Sequence, residues 1–239
     1  MIIFDLGLSS IQLKNLNRGF SFKSKNKLDM AMGLNNISAQ EAVNNLSEKH
    51  LKLIIKILGE ETEASNIAKN IIKARNEKKI TKVNELVKII EKSKKKKFSS
   101  KINPSTKTFQ ALRIYVNKEI SELINGITKA AKKLKPGGKL IIVSFHSIED
   151  KIVKYFFSNF SKNKSNPSRY LPVDNNTDSF LFEKYNKKVV KPTSHEIKIN
   201  NPSRSAKMRF AIRSKNQFLF PQNLLKKFRN YLDIEGVDV

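Results

Sequence analysis

The chain begins with a continuous apolar run, Met1 to Phe4, followed at once by a polar segment that ends at Ser10. An apolar run without polar alternation is typical of a strand buried on both faces, as in a parallel sheet covered by helices. Ligands of open α/β sheets bind just beyond the carboxyl ends of the strands. The opening residues therefore predict an α/β fold with a candidate site between Asp5 and Ser10.

Helix signals fill the region after this strand. Ser38 with Glu41 forms a capping-box pattern, and Ser47 is a second N-cap signal. Apolar residues at helical spacing predict a third helix over 60–78 and a fourth helix after it. Four amphipathic helices without an intervening strand predict a small helical subdomain. The lysine-rich tract 94–101 predicts a solvated linker that closes it.

A second strand is predicted farther along the chain. A long helix over 106–134 ends at a Pro-Gly-Gly stop, and an apolar run over 139–145 follows. Ser147, with Asp150 three residues later, predicts the N-cap of a helix over 148–160. This alternation of strands and helices predicts a parallel sheet.

The remaining residues give weaker signals. The polar composition of 161–186 predicts a long surface loop. Segments 187–191 and 206–213 predict a late pair of strands, and 222–232 predicts a terminal helix.

The charge of the chain is strongly positive. Its 47 Lys and Arg residues against 21 Asp and Glu residues give a net charge of +26 and a pI near 10.1. Such a field favours a polyanionic partner, with RNA or DNA first. A compositional bias toward Lys, Asn and Ile explains the same numbers without a function, and this alternative stays open.

Several classes of protein are excluded or disfavoured by what the sequence lacks. The absence of cysteine excludes disulfides, thiolate metal sites and a cysteine nucleophile in this chain. We find no metal-binding histidine pair, and we predict no metal site. No apolar run reaches the length of a membrane span, and the N-terminus lacks signal-peptide features. We therefore expect a cytoplasmic protein without membrane contact.

Two polar segments at the predicted strand ends are candidates for chemistry. Asp5 can accept a hydrogen bond from an amine or hydroxyl of a nucleoside, or it can cap a loop. His146 can act as a base or only as a structural donor, and the sequence does not decide between them. Glu149 and Asp150 lie in a first helical turn, where negative charge is favourable whatever the function.

Basic and aromatic residues supply candidates for RNA contact. A cluster that includes Arg204, Lys207 and Arg209 is suited to phosphate. Phe20 and Phe22 can stack on a splayed base or anchor their loop to the core.

Seven segments taken in order closely resemble the RsmH (MraW) family of S-adenosylmethionine-dependent methyltransferases, which methylate N4 of a cytosine in 16S rRNA at the decoding centre. The segments are FDLGLSSIQL, RGFSF, LDMAM, GEETEASNIAKNIIKAR, NPSTKTFQALRIYVNKEI, PGGKLIIVSFHSIEDKIVKYFF and NPSRSAKMRFAIR.

The resemblance implies a Rossmann-like methyltransferase sheet with an inserted helical subdomain. It divides the chain into a start of the methyltransferase core (1–33), the inserted subdomain (34–100) and the remainder of the core (101–239). The implied cofactor is S-adenosyl-L-methionine. The implied partner is 16S rRNA or the small ribosomal subunit, and a homodimer is one open oligomeric state.

The resemblance also implies roles for individual residues. Asp5 and Gln12 fall on positions that contact the cofactor. The expected catalytic residues are Asp5, Ser9, Ser10 and His146. The expected RNA-binding residues are Arg18, Phe20, Arg113, Arg204, Lys207 and Arg209.

The opening strand corresponds to the fourth strand of the family sheet, and the other cofactor positions lie upstream of it in full-length relatives. We therefore expect an N-terminally truncated enzyme whose first strand has an exposed apolar edge and which alone binds its cofactor poorly. An alternative hypothesis is a basic RNA-binding fragment without catalysis. A third is a different nucleoside-handling α/β enzyme.

Overall fold

The described residues contain four strands, namely Ile2–Asp5 (β1), Lys139–Ser144 (β2), Phe182–Tyr185 (β3) and Lys207–Arg213 (β4). They form one mixed sheet in the order β1-β2-β4-β3. We describe a computed structural model, which covers residues 1–33, 37–94, 103–162, 180–237 and 239. The pair β1–β2 is parallel, whereas β4 runs antiparallel to both β2 and β3. The predicted parallel pairing is therefore confirmed for β1 and β2, and the late strand β4 makes the sheet mixed.

Strand β1 lies at one edge of this sheet. Its residues alternate between half-buried and exposed, and Ile3 is 58% exposed. The prediction of burial on both faces is therefore wrong, because one face of β1 carries exposed side chains. Among the described strands, β1 pairs only with β2. The prediction of an exposed apolar edge is confirmed in the same residues.

The helices occupy the segments where the capping patterns predicted them, with several additions. Ser38, paired with Glu41, is the observed N-cap of the helix Ala39–Asn45, and Ser47 is the N-cap of the helix Glu48–Ile57. The helices are Ser10–Lys14 (α1), Ala39–Asn45 (α2), Glu48–Ile57 (α3), Ala64–Glu77 (α4), Val83–Ser93 (α5), Thr106–Asn117 (α6), Glu119–Lys133 (α7), Ser147–Asn159 (α8), Ser194–Ile199 (α9) and Gln222–Glu235 (α10). None of the helices in the described ranges is both long and apolar enough to span a membrane.

The first of two compact units comprises Met1–Gly7 and Glu122–Phe228 and contains the sheet. Its core holds a cluster of aromatic rings from α8 and β3. Phe156 and Phe157 each meet Phe182 edge to face at a centroid distance of 5.3 Å. All three side chains are fully buried, so this cluster fixes α8 against the sheet.

The second unit comprises Leu8–Ser121 and Arg229–Val239 and contains the predicted helical region. The end of the chain is tied into it. The buried Glu235 carboxylate accepts hydrogen bonds from Ile120 N (2.8 Å), Ser121 N (2.8 Å) and Ser121 Oγ (2.6 Å). Burial raises the pKa of Glu235, although these hydrogen bonds act in the opposite direction. The Glu235 side chain thus caps the start of α7.

The division into segments 1–33, 34–100 and 101–239 stays a prediction. The two compact units group the residues differently, with breaks after Gly7, Ser121 and Phe228.

Two further expectations are corrected in the region after α8, and one helix there was not predicted. Strand β3 lies inside the predicted loop 161–186, of which 163–179 fall outside the described residues. Segment 187–191 contributes only a bridge between Val190 and Met208, so β3 is the main partner of β4. Helix α9 was not predicted, whereas the terminal helix is confirmed as α10.

The lysine tract is described only at its first residue, since 95–101 lie outside the described residues. Lys94 is not solvated there. Its Nζ lies 2.6 Å from a Glu61 carboxylate oxygen, and the two side chains are 6% and 3% exposed.

The predicted continuous helix over 106–134 is broken at Lys118. This residue has a φ of 49° and separates α6 from α7. A left-handed conformation in a residue with a Cβ is unfavourable by roughly 1–2 kcal/mol. No glycine or proline marks the break in the sequence, which is why the helical spacing alone did not reveal it.

We expect Lys118→Gly to raise the free energy of unfolding by about 0.5–1 kcal/mol, because glycine adopts this conformation without the steric penalty. Urea denaturation measures the change. Lys69→Gly, in the middle of α4, is the matched control and should lower stability by about 1 kcal/mol. A loss of stability in both variants would contradict the strain at Lys118.

Candidate functional site

The carboxyl ends of β1 and β2 lie side by side at one end of the sheet, as predicted. Asp5 is in register with Val143, and Leu6 N donates a hydrogen bond to Val143 O at 3.0 Å. The Asp5 side chain is exposed and has no hydrogen-bond or ion-pair partner within the described residues. An unpaired carboxylate at this position can accept hydrogen bonds from an amine or hydroxyl group of a ligand.

A glycine follows Asp5 where the chain leaves the sheet. Gly7 has a φ of +90°, which favours glycine over residues with a side chain. A Cβ at Gly7 would meet Phe145 Cδ2 at 3.7 Å, an ordinary contact. The backbone conformation is therefore what requires glycine here, and Gly7 brings this turn beside the loop that follows β2.

The loop after β2 is held by the buried carboxylate of Glu149. Its Oε2 accepts hydrogen bonds from Phe145 N (2.9 Å) and His146 N (3.3 Å). His146 is the N-cap of α8, with Glu149 at the third helical position. The prediction that Ser147 caps this helix is therefore wrong by one residue. The pairing of a cap residue with an acidic residue three positions later fixes the loop.

Both ring nitrogens of His146 face Glu149. Nδ1 accepts from Glu149 N at 3.5 Å, and Nε2 lies 3.1 Å from Glu149 Oε1. The second contact is close but poorly aligned with the ring N–H direction, so it is an electrostatic contact and not a hydrogen bond. This geometry gives His146 a structural role, and its catalytic role stays a prediction.

Ser9 is the N-cap of α1, and Ser10 and Gln12 lie in its first turn, all within the second unit. Ser9 Oγ accepts from Gln12 N (3.2 Å), while Ser9 N donates to Gln12 Oε1 (2.9 Å). Ser9 and Gln12 thus form a reciprocal cap, and Ser10 is exposed in the first turn. In the described residues nothing contacts the amide nitrogen of Gln12. Its contact with a cofactor, and the catalytic roles of both serines, stay predictions.

Phe20 is not available for stacking on a base. Only 6% of the residue is exposed, because it anchors its loop. The Arg18 guanidinium lies 5.4 Å from the Phe20 ring centre and donates to Ala31 O at 2.8 Å. This burial disfavours the RNA contact of Phe20, which stays a prediction, and the half-buried Arg18 also stabilises this loop.

Arg113 is engaged inside the second unit. Its Nε and Nη2 donate to the two carboxylate oxygens of Glu119 at 2.7 and 2.9 Å. This bidentate geometry uses the edge of the guanidinium that would otherwise hold a phosphate. The prediction of RNA contact by Arg113 is not supported by this arrangement.

Arg209 and Lys207 both contact Asp150. Arg209 Nε donates to Asp150 Oδ1 at 2.7 Å, and Lys207 Nζ lies 3.3 Å from Asp150 Oδ2. Burial raises the pKa of Asp150, but hydrogen bonds and charge from the two cations outweigh it, so the net pKa is lowered. Arg209 is buried, which disfavours its predicted contact with RNA, whereas Lys207 is about one-third exposed. Both RNA contacts stay predictions.

Two other arginines of this region differ sharply in their surroundings. Arg213 is buried and donates to the carbonyl oxygens of Ala131, Leu181, Ser214 and Asn216. Arg204 is exposed and donates to Asn201 Oδ1 at 3.0 Å. Arg204 therefore remains a candidate for phosphate contact, while Arg213 organises the end of β4.

A family model described as the MraW methylase family matches residues 1–214. The chain belongs to this family. Its mixed sheet and flanking helices are consistent with the Rossmann-like methyltransferase fold of the MraW methylase family, as predicted.

Curated relatives named Ribosomal RNA small subunit methyltransferase H are similar to most of the chain. The protein from Ehrlichia canis is 47% identical over 210 residues, which are 87% of this chain and 67% of that protein. The protein from Rhizobium johnstonii is 42% identical over 213 residues, which are 89% of this chain and 62% of that protein. The protein from Bartonella henselae is 41% identical over 235 residues, which are 98% of this chain and 67% of that protein. The chain thus spans about two thirds of the length of these relatives.

Sequence reasoning missed the role of Glu149. Its carboxylate organises the loop beside Asp5, yet its position in a first helical turn suggested only a favourable interaction with the helix dipole. The spacing from His146 to Glu149 carried the signal, but histidine is an unusual cap residue.

Proposed function

We propose that the chain is an S-adenosylmethionine-dependent methyltransferase that modifies N4 of a cytosine in 16S rRNA. The observation that carries this proposal is the match of residues 1–214 to the MraW methylase family, together with relatives named for small-subunit rRNA methylation. The positive charge of the chain agrees with an RNA substrate.

The chemistry at this end of the sheet fits part of the cofactor. The exposed, unpaired Asp5 carboxylate at the end of β1 suits a ligand that carries hydroxyl, ammonium and sulfonium groups. When bound, S-adenosylmethionine supplies an electrophilic methyl group. The described residues of the first unit do not form a complete nucleoside-binding site around Asp5. We therefore assign to Asp5 only contact with the part of the cofactor that carries these groups.

Asp5 would orient the target amine. The N4 lone pair of cytosine is delocalised into the ring, which makes the amine a weak nucleophile. A carboxylate that accepts one N4–H bond holds the amine in position and favours loss of its proton as the new N–C bond forms. The loop held by Glu149 would keep Phe145 and Gly7 in place beside Asp5.

The composition favours an exocyclic amine over a ring carbon as the acceptor. Methylation at C5 of a pyrimidine normally requires a thiolate that adds to the ring, and this chain contains no cysteine. An exocyclic amine attacks the methyl group directly and needs no such nucleophile.

Two measurements on the purified 239-residue chain test the proposal. Calorimetry at millimolar S-adenosylmethionine should detect weak binding, and tritium from its labelled methyl group should enter the RNA of small ribosomal subunits. RNA binding without cofactor binding or methyl incorporation would overturn the proposal in favour of a non-catalytic RNA-binding protein. We also predict a cytoplasmic location, and a homodimer stays an open prediction.

A further inference from the structure

The segment between β3 and β4 carries a concentration of exposed positive charge. We name residues 187–205 the basic connection. It contains four lysines, one arginine and a single acidic residue, Glu196, for a net charge of +4. The five cations are Lys187, Lys188, Lys191, Lys198 and Arg204, all of them exposed. None of them forms an ion pair with any residue in the described ranges.

The basic connection contributes little to the core. Helix α9 within it has no buried residue, and Ile199 is 75% exposed. Thr193 caps α9 by accepting a hydrogen bond from Glu196 N at 3.1 Å. The segment is therefore locally ordered, while its charged side chains are turned to solvent.

Strand register places the basic connection at the same end of the sheet as Asp5, where β1 and β2 have their carboxyl ends. Asp5 pairs with Val143, Val143 with Met208, and Met208 with Val190. Three strand spacings of about 4.8 Å each separate Asp5 from Val190, which gives about 14 Å. Beyond Val190 the chain leaves this line of paired residues, and it re-enters the sheet at Lys207, opposite the carboxyl end of β2.

Some of the cations that the sequence predicted to contact RNA are already paired with a carboxylate. Arg209 and Lys207 bind Asp150, and Arg209 is buried. The lysines of the basic connection are exposed and lie at the same end of the sheet. Phosphate contacts need charge and reach but no sequence recognition, which suits long exposed lysines.

We propose that the basic connection binds the phosphates of the RNA strand next to the target cytosine. This proposal rests on the proposed function, since it takes the end of the sheet at Asp5 as the place of methyl transfer. A strand that presents its cytosine at Asp5 would run its neighbouring phosphates along Lys187, Lys188, Lys191 and Lys198. These contacts would position the substrate and take no part in the chemistry.

The test replaces these four lysines together by glutamine. The control replaces four exposed lysines of α3 and α4, namely Lys49, Lys52, Lys56 and Lys73, so that both variants lose the same charge. Fluorescence anisotropy with a short labelled single-stranded RNA containing cytosine gives the affinity at several salt concentrations. The slope of log K against log salt should fall by about 2–3 in the first variant, because each lost phosphate contact removes about 0.7. The slope of the control variant should fall by much less.

Kinetics and a conservative variant separate positioning from folding. The glutamine variant should show at least a tenfold rise in KM for RNA with kcat retained, and arginine at the same four positions should restore both KM and the salt slope. Equal effects in the two glutamine variants, or an unchanged slope in the first, would overturn the proposal. Weaker binding to polyglutamate with unchanged RNA binding would instead indicate an acidic protein partner. If the parent chain transfers no methyl group, the proposed function fails, while the salt slopes still report on the RNA surface.

Discussion

Replacement of Asp5 by asparagine should lower kcat for methyl transfer by about 10²-fold or more. Asparagine keeps the size of the side chain, but it lacks the charge that favours proton loss from the target amine. The fold should not change, since the exposed Asp5 side chain has no partner among the described residues. Single-turnover transfer of labelled methyl to small-subunit RNA measures the effect.

Asp233→Asn is the matched control for this variant. Asp233 is exposed and contacts only the exposed Arg229 among the described residues, at 3.6 Å. Its replacement should leave both the rate and the thermal midpoint unchanged. A methyl transfer rate of Asp5→Asn within a factor of three of the parent would remove Asp5 from the chemistry and would favour a different nucleoside-handling enzyme.

Replacement of Asp150 by alanine should destabilise the chain by about 3 kcal/mol, as is usual when one partner of a buried ion pair is removed. The reason is that Arg209, with a side chain only 7% exposed, loses its charged partner. Urea denaturation measures the loss. The double variant Asp150→Ala with Arg209→Met should recover much of it, because the buried charge is then removed as well. A double variant as unstable as the single one would contradict this explanation.

The stability contributed by Asp150 should depend on pH. Its pKa in the folded chain lies below the ordinary value, so the unfolded state takes up the proton first as the pH falls. The contribution is therefore complete at neutral pH and declines below about pH 4. The difference in unfolding free energy between the parent and Asp150→Ala should narrow over that range. A difference that stays constant down to pH 3 would contradict the lowered pKa.

Features that depend on nearby residues were predictable from the sequence. The caps at Ser38 and Ser47 form within one turn of their helices, so the residue types were sufficient. The two strands that end at Asp5 and Ser144 were also predictable, because their apolar runs are bounded by polar loops.

Features that depend on residues far apart in the chain were not predictable from the sequence. The pairing of Arg209 with Asp150 joins residues 59 positions apart, so a basic cluster in the sequence resembled a phosphate site although part of it is internal. Likewise β3 lies in a polar segment whose strand character comes from pairing with β4. The exposed basic connection was overlooked because its position beside Asp5 follows from strand register alone.

The identity of the methylated atom tests the central claim most directly. Small ribosomal subunits treated with the chain and S-adenosylmethionine can be digested to nucleosides and analysed by mass spectrometry against standards. An unpaired carboxylate at the end of β1 and the lack of cysteine predict N4-methylcytidine as the product. Formation of 5-methylcytidine, or of no methylated cytidine, would contradict the account.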